Sequence, residues 1–139
     1  MSLKAFLRQN AIKPENVKVA ISDRFLGEDG KPELWELRPI SESHHLKIKD
    51  SCMRRSSRKR GAPDLDSSLY NLRLMAASVV YPDLKDAELQ ASYGVVGGEE
   101  LLKTMLLPGE TLDLLLKVQE VNGFDRDLTE EAKEEVKNS

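Results

Sequence analysis

Long apolar residues recur at helical spacing through the second half of the chain, from Asp66 to Phe124. The last helix predicted in this part runs from Glu110 to Asn122, and at about 100° per residue its charged side chains share one narrow strip. That strip consists of Glu110, Asp113, Lys117 and Glu120, and leucines and valines fill much of the remaining circumference. A helix with so little polar surface must be mostly covered, either by its own domain or by a partner.

The composition is consistent with a core made of aliphatic residues. Aromatic residues are only 5% of the chain, so Leu, Val, Ile and Ala must supply the core, and they suit helices. With 139 residues the chain has room for one core. The net charge of -3 is too small to indicate a polyanionic partner or a membrane surface by itself. No run approaches the roughly 18 apolar residues of a membrane span, so we expect a soluble intracellular protein.

The first part of the chain has a different period. Val17, Val19 and Ile21 alternate with polar or small residues, which is typical of a half-buried strand. Turn-forming residues follow over 27–32, and a second strand with Trp35 and Leu37 on one face completes a β-hairpin over about 17–38. A two-stranded hairpin is marginal alone, so it must dock on helices. A short helix capped by Ser2 is predicted before it.

Helix signals then recur to the end of the apolar pattern. Ser41 is a plausible N-cap for one helix, and Asp64 or Asp66 can start the next. Asp83 and Asp86 suit the first turn of a third helix. The predicted helices cover about 41–53, 66–80, 83–91, 101–106 and 110–122. Glycine at position 123 offers a left-handed stop for the last of them. The predicted fold class is α+β, with a short N-terminal helix and a β-hairpin packed on a C-terminal group of about five short α-helices.

The predicted domain organisation follows from these elements. We expect a single globular domain over 1–124, with its helical part over 66–124. An acidic C-terminal helix or frayed tail is expected over 125–139, because Asp127 with Glu130 resembles a capping box before a sparse apolar stripe.

A cluster of cations interrupts the pattern and predicts an exposed loop over about 54–63. Five of the seven residues from 54 to 60 are basic, namely Arg54, Arg55, Arg58, Lys59 and Arg60. They could contact a polyanion or an acidic partner, and Ser56 or Ser57 between them could be phosphorylated. The segment has no aromatic residues for base stacking, so a solvated loop is the favoured interpretation.

Residue patterns for catalysis or metal binding are weak. His44 and His45 are neighbours and diverge on a helix, and Cys52 is best interpreted as a buried or half-buried thiol. The glycines over 94–98 lack the spacing of a phosphate loop and fit helix punctuation. The carboxylates of Glu110 and Asp113 are interpreted as a solvated helix face. We therefore predict no catalytic residues, no metal site and no cofactor.

Three stretches together resemble a known family. They are Met1–Leu7, Glu33–Ile40 and the long run Asp86–Phe124. Their residues and spacing are similar to those of the XkdN-like tail assembly chaperones of Gram-positive tailed phages and defective prophages. The resemblance covers most of the chain, and it is weakest over 44–68 and in the acidic tail.

The resemblance implies a non-enzymatic role in the bacterial cytoplasm, in which the protein binds the tape measure protein of the phage tail and keeps its helices soluble. Tail tube protein is a further partner that it suggests. The residues proposed for partner binding are Leu101, Leu102, Met105, Leu106, Leu107, Leu112, Leu115 and Leu116. The competing interpretation is that most of them form the protein's own core, with Met105, Leu106 and Leu107 expected at the surface. The alternative function is a small nucleic-acid-binding or regulatory protein that uses residues 54–60.

Overall fold

The computed structural model describes residues 1–55 and 61–125. The predicted α+β class is confirmed. The helices in these ranges are α1 (Glu42–Ser51), α2 (Ser67–Ser78), α3 (Ala87–Ser92), α4 (Gly98–Met105) and α5 (Pro108–Val121), and a 3-10 helix covers Lys4–Phe6. The strands are β1 (Val17–Val19), β2 (Trp35–Leu37), β3 (Met53–Arg55), β4 (Pro63–Leu65) and β5 (Val79–Tyr81). Apart from Asp125, the predicted C-terminal helix or tail over 125–139 lies outside the described residues.

The main sheet has three antiparallel strands in the order β1-β2-β5. The predicted hairpin supplies β1 and β2, with Val19 opposite Trp35 and Val17 opposite Leu37. Strand β5 was not predicted, because the sequence placed these residues at the end of a helix. The structure ends α2 at Ser78, and the β-branched and aromatic residues that follow pair with β2 instead.

The core lies between this sheet and helices α2, α4 and α5. The sheet contributes Trp35 and Leu37, as the alternating pattern predicted. The helices contribute the buried residues Leu74, Met75, Leu101, Leu102, Met105, Leu114 and Val118. The private core therefore takes most of the long apolar residues that the helical spacing had grouped.

Helix ends follow the predicted capping signals. The Ser41 hydroxyl accepts a hydrogen bond from the His44 amide at 3.1 Å, and the Asp66 carboxylate accepts one from the Leu69 amide at 3.1 Å. Helix α5 ends at a left-handed Gly123 (φ 80°), beyond which the Phe124 amide bonds to the Gln119 carbonyl at 2.9 Å. This is the Schellman arrangement that the sequence predicted.

The segment predicted as an exposed loop over 54–63 has strands at both ends. Strands β3 and β4 pair antiparallel, with Arg54 opposite Asp64 and Arg55 opposite Pro63. All three residues of β3 are nevertheless exposed, so Arg54 and Arg55 face solvent. The remaining predicted cations of this segment, Arg58, Lys59 and Arg60, lie outside the described residues.

The N-terminal segment stands apart from the core. The predicted short helix is present as the 3-10 helix Lys4–Phe6, and the Ser2 hydroxyl accepts a hydrogen bond from the Lys4 amide at 3.2 Å. Every residue from Met1 to Asn16 is exposed.

Candidate functional site

The structure divides the predicted partner-binding leucines into two groups. Four of them are buried in the core, namely Leu101, Leu102, Met105 and Leu106. The expectation that Met105 and Leu106 lie at the surface is therefore wrong, because the apolar side of α4 faces α2 and the rest of the core. Leu107, Leu112 and Leu116 are exposed, and Leu115 is half-buried.

An apolar groove runs between helices α2 and α5. It has a volume of about 540 Å³. Helix α2 lines it with Leu69, Leu72 and Met75, and α5 lines it with Pro108, Leu112 and Leu115. Polar residues complete the lining, namely Asp66, Ser68, Asn71, Lys103 and Thr111. We call this depression the α2–α5 groove, and it includes two of the leucines that the sequence singled out.

The first turn of α5 is fixed by an ion pair with the loop that follows β1. The Arg24 guanidinium donates to both carboxylate oxygens of Glu110, at 3.1 and 2.5 Å, and to the Met105 carbonyl at 2.8 Å. The same carboxylate accepts the Leu107 amide at 2.8 Å, as a capping residue does. The Arg24 hydrogen bonds, followed by the Leu107 amide, lower the pKa of Glu110 to about 2.

The sequence predicted that Glu110 lies on a solvated helix face, and this prediction is wrong. Its side chain is only 14% exposed and is bonded to Arg24 and to the Leu107 amide. Asp113 is exposed, as predicted. The pattern of the sequence could not show the Glu110 contact, since Arg24 is distant along the chain.

The other end of α5 is held by Asn122, which the sequence indicated only as the last residue of the predicted helix. Its side-chain oxygen accepts the Ile40 amide at 2.8 Å. Its nitrogen donates to the buried Ser78 hydroxyl at 3.1 Å and to the Val118 carbonyl at 2.9 Å. One amide side chain therefore joins α5 to the segment after β2 and to the end of α2.

His45 lies in a small cavity near the same end of α5. Its ring nitrogens are 2.7 Å from a Glu42 carboxylate oxygen and 2.5 Å from the Tyr70 hydroxyl, and Phe124 packs with a ring-centroid distance of 5.7 Å. Burial raises the pKa of Tyr70. The cavity measures about 140 Å³. These contacts indicate a packing role for His45, because both ring nitrogens have neighbours from the protein itself.

Within residues 1–55 and 61–125, no three His, Cys, Asp or Glu side chains come together in a group able to hold a metal ion. Cys52 is buried, as predicted. In those same ranges no helix has both the length and the apolar character needed to cross a membrane.

Of the five basic residues over 54–60, the structure describes Arg54 and Arg55. Arg54, whose side chain is 71% exposed, lies 3.6 Å from the Asp66 carboxylate, which is 27% exposed. Arg55 is exposed on β3. Two adjacent exposed arginines do not distinguish a solvated hairpin from a polyanion contact, so the nucleic-acid alternative stays a prediction.

Comparison with known proteins gives a consistent relationship over nearly the whole chain. The sequence model of the phage XkdN-like tail assembly chaperone proteins matches residues 3–137. The phage-like element PBSX protein XkdN of Bacillus subtilis (strain 168) is 33% identical over 139 residues, covering 98% of this chain and 93% of the relative. The protein YqbN of the same strain is 30% identical, with the same coverage of 98% and 93%.

A solved structure supports the same relationship. The crystal structure of YqbN superposes with a TM-score of 0.77 at 28% identity, over 90% of this chain and 98% of that chain. The sequence and the fold agree with each other, and the chain belongs to the family of phage XkdN-like tail assembly chaperones.

Proposed function

We propose that this protein binds the tape measure protein of its phage or prophage tail and keeps the helices of that protein soluble during assembly. Membership of the tail assembly chaperone family supports the general role. The observation that carries the specific proposal is the α2–α5 groove, which leaves apolar side chains of two packed helices open to solvent.

The groove has the chemistry that an amphipathic helix needs. Such a helix places anchors at positions i, i+3, i+4 and i+7 into an apolar cleft between two elements. The α2–α5 groove offers six apolar residues in two rows, one from each helix, with Asp66 and Lys103 as charged groups in its lining. A partner helix lying along it would cover Leu112, whose exposed fraction is 58%.

The expected contribution of one groove residue can be worked out. Fully burying a leucine side chain is worth about 1.5–3 kcal/mol, so covering the exposed part of Leu112 would contribute on the order of 1–1.5 kcal/mol. That corresponds to roughly five- to tenfold in affinity. Several such residues would give reversible binding of moderate strength, which suits a protein that must release its partner as the tail forms.

The protein acts by non-covalent binding and not as an enzyme, in the cytoplasm of the bacterial host, where tails are assembled. Tail tube protein is a second proposed partner, which membership of the tail assembly chaperone family supports only in general terms.

Co-expression with the tape measure protein of the same phage or prophage tests the proposal. We expect the native chain to raise the soluble fraction of the tape measure protein and to be recovered in a complex with it. Leu112→Glu should abolish this rescue, because it places a charge in the groove. Leu26→Glu is the matched control, since Leu26 is 61% exposed but lies in the hairpin loop.

Two results would contradict the proposal. One is a tape measure protein that stays as insoluble with the chaperone as without it. The other is equal rescue by the Leu112→Glu and native chains, which would remove the groove as the binding site. Thermal unfolding of both variants shows whether they remain folded.

A further inference from the structure

The N-terminal residues 1–16 form an arm with local order and an unusual surface. The Asn10 side-chain nitrogen donates a hydrogen bond to the Lys4 carbonyl at 2.7 Å, and the Asn10 backbone N–H donates one to the Leu7 carbonyl at 2.9 Å. Leu3, Phe6 and Ile12 are nevertheless 78%, 81% and 97% exposed. An arm with internal hydrogen bonds and this much apolar surface is suited to dock elsewhere.

The charge of the arm is positive. Its basic residues are Lys4, Arg8 and Lys13, and Glu15 is its only acidic residue. Leu3 and Phe6 are three residues apart across the 3-10 turn Lys4–Phe6, so they lie on one side of it, and Lys4 and Arg8 are close to them along the chain. The arm therefore fits a concave surface that combines apolar residues with carboxylates.

Such a surface lies beside α5, on a different side from the α2–α5 groove. It is a depression of about 600 Å³ with Leu116, Phe124 and Ala20 as its apolar residues. Its charged residues are Asp113, Lys117, Glu120 and Asp125, three carboxylates against one cation. Among the described residues of the lining, Lys117 is the only cation and lies 3.5 Å from Glu120, so carboxylates outnumber cations there. We call this depression the Leu116 groove.

We propose that the arm of one copy docks in the Leu116 groove of a second copy and that the exchange is reciprocal, giving a two-fold symmetric dimer. Charge complementarity identifies the occupant, because the arm brings cations and apolar anchors to a groove with excess carboxylate. Within one copy every residue of the arm is exposed and none of them lines this groove, so the groove is open to the arm of a second copy.

Reciprocal exchange satisfies both features of each copy at once. Every arm finds a groove, every groove receives an arm, and the assembly closes without leaving a free site for further growth. This self-association is separate from the proposed binding of tape measure protein, since the two grooves have no lining residue in common.

Paired charge reversal tests the exchange. The arm variant carries Lys4→Glu, Arg8→Glu and Lys13→Glu, and the groove variant carries Asp113→Lys and Glu120→Lys. Sedimentation equilibrium should show a dimer for the native chain and at least roughly tenfold weaker dimerisation for each variant alone, since exposed pairs contribute modestly and several are lost together. The double reversal Lys47→Glu and Lys49→Glu, on exposed positions of α1, is the matched control and should not change dimerisation.

Mixing the two variants is the decisive measurement. In a mixed dimer the reversed arm meets the reversed groove and the native arm meets the native groove, so dimers should form again although each variant alone is mostly monomeric. An arm that folds onto its own groove would not give this recovery, and such a result overturns the proposal. A native chain that is monomeric at all concentrations overturns it too.

A chain ending at Asp125 separates the arm from the C-terminal residues as the occupant. The proposal expects that this truncated chain still dimerises and still responds to reversal of the arm. If truncation abolishes the dimer, residues 126–139 fill the role assigned to the arm and the proposal is wrong. Circular dichroism of every variant establishes that the fold is retained.

Discussion

Replacing Asn122 by alanine should destabilise the protein more than any other change of an asparagine described in this structure. The substitution removes three hydrogen bonds, which join the end of α5 to Ile40, to Ser78 and to the last turn of α5 itself. A hydrogen bond contributes a net 0.5–1.5 kcal/mol, and a buried partner left unsatisfied costs more. Because Ser78 is fully buried, we expect a loss of about 2–4 kcal/mol in the free energy of unfolding.

Urea unfolding followed by far-UV circular dichroism measures this loss. For a chain of this size, each kcal/mol corresponds to roughly 3–5 °C in Tm, so the variant should melt about 6–20 °C below the native protein. Asn10→Ala is the matched control, because Asn10 also uses its side-chain nitrogen but makes its bond in the exposed arm. The control should cost less than about 1 kcal/mol. A loss in Asn122→Ala no larger than in this control would refute the structural argument.

Four further substitutions test the ends and faces of α5. Glu110→Gln should lower stability at pH 7 and have little effect at pH 2 or below. The pKa of Glu110 is about 2 in the folded protein, below the usual 4.5, so its carboxylate contributes fully above the unfolded pKa and this contribution is lost as the pH falls through the folded pKa. Urea unfolding at several pH values would show this loss. Gly123→Ala should cost about 1 kcal/mol in the same assay, because φ is 80° there. Leu114→Ala should lower the free energy of unfolding by about 2–5 kcal/mol, because Leu114 is buried. Leu116→Ala should lower it by less than about 1 kcal/mol, because Leu116 is exposed. Equal losses would contradict the faces of α5 assigned to these two leucines.

Local signals in the sequence predicted most of the helices. A cap such as Ser41 or Asp66 is a contact within one turn, so the residues that specify it are neighbours in the chain. The glycine stop at 123 is of the same kind. Strand β5 was missed because three residues carry too little alternation to be told from the end of a helix, and its partner β2 is distant in the sequence.

The candidate site was only partly predictable for a related reason. Helical spacing shows which side chains share a face, but not which face another element covers. Leu101 and Leu112 belong to adjacent helices and are equally apolar, yet one is buried in the core and the other is exposed beside α2. The Arg24–Glu110 pair and the Asn122 contacts join distant segments, and a single sequence gives no signal for them.

Hydrogen bonds join both ends of α5 to the first part of the chain. Glu110 accepts from Arg24 at one end, and Asn122 accepts from the Ile40 amide at the other. The exposed leucines between them are therefore presented by a helix whose position is already set, so a partner would bind without first ordering that surface. Loosening one end should then weaken partner binding even though no groove residue changes. We expect Asn122→Ala to bind the tape measure protein more weakly than Asn10→Ala does, measured at a temperature where both are folded. Equal affinities would show that binding in the α2–α5 groove does not depend on the hydrogen bonds at the ends of α5.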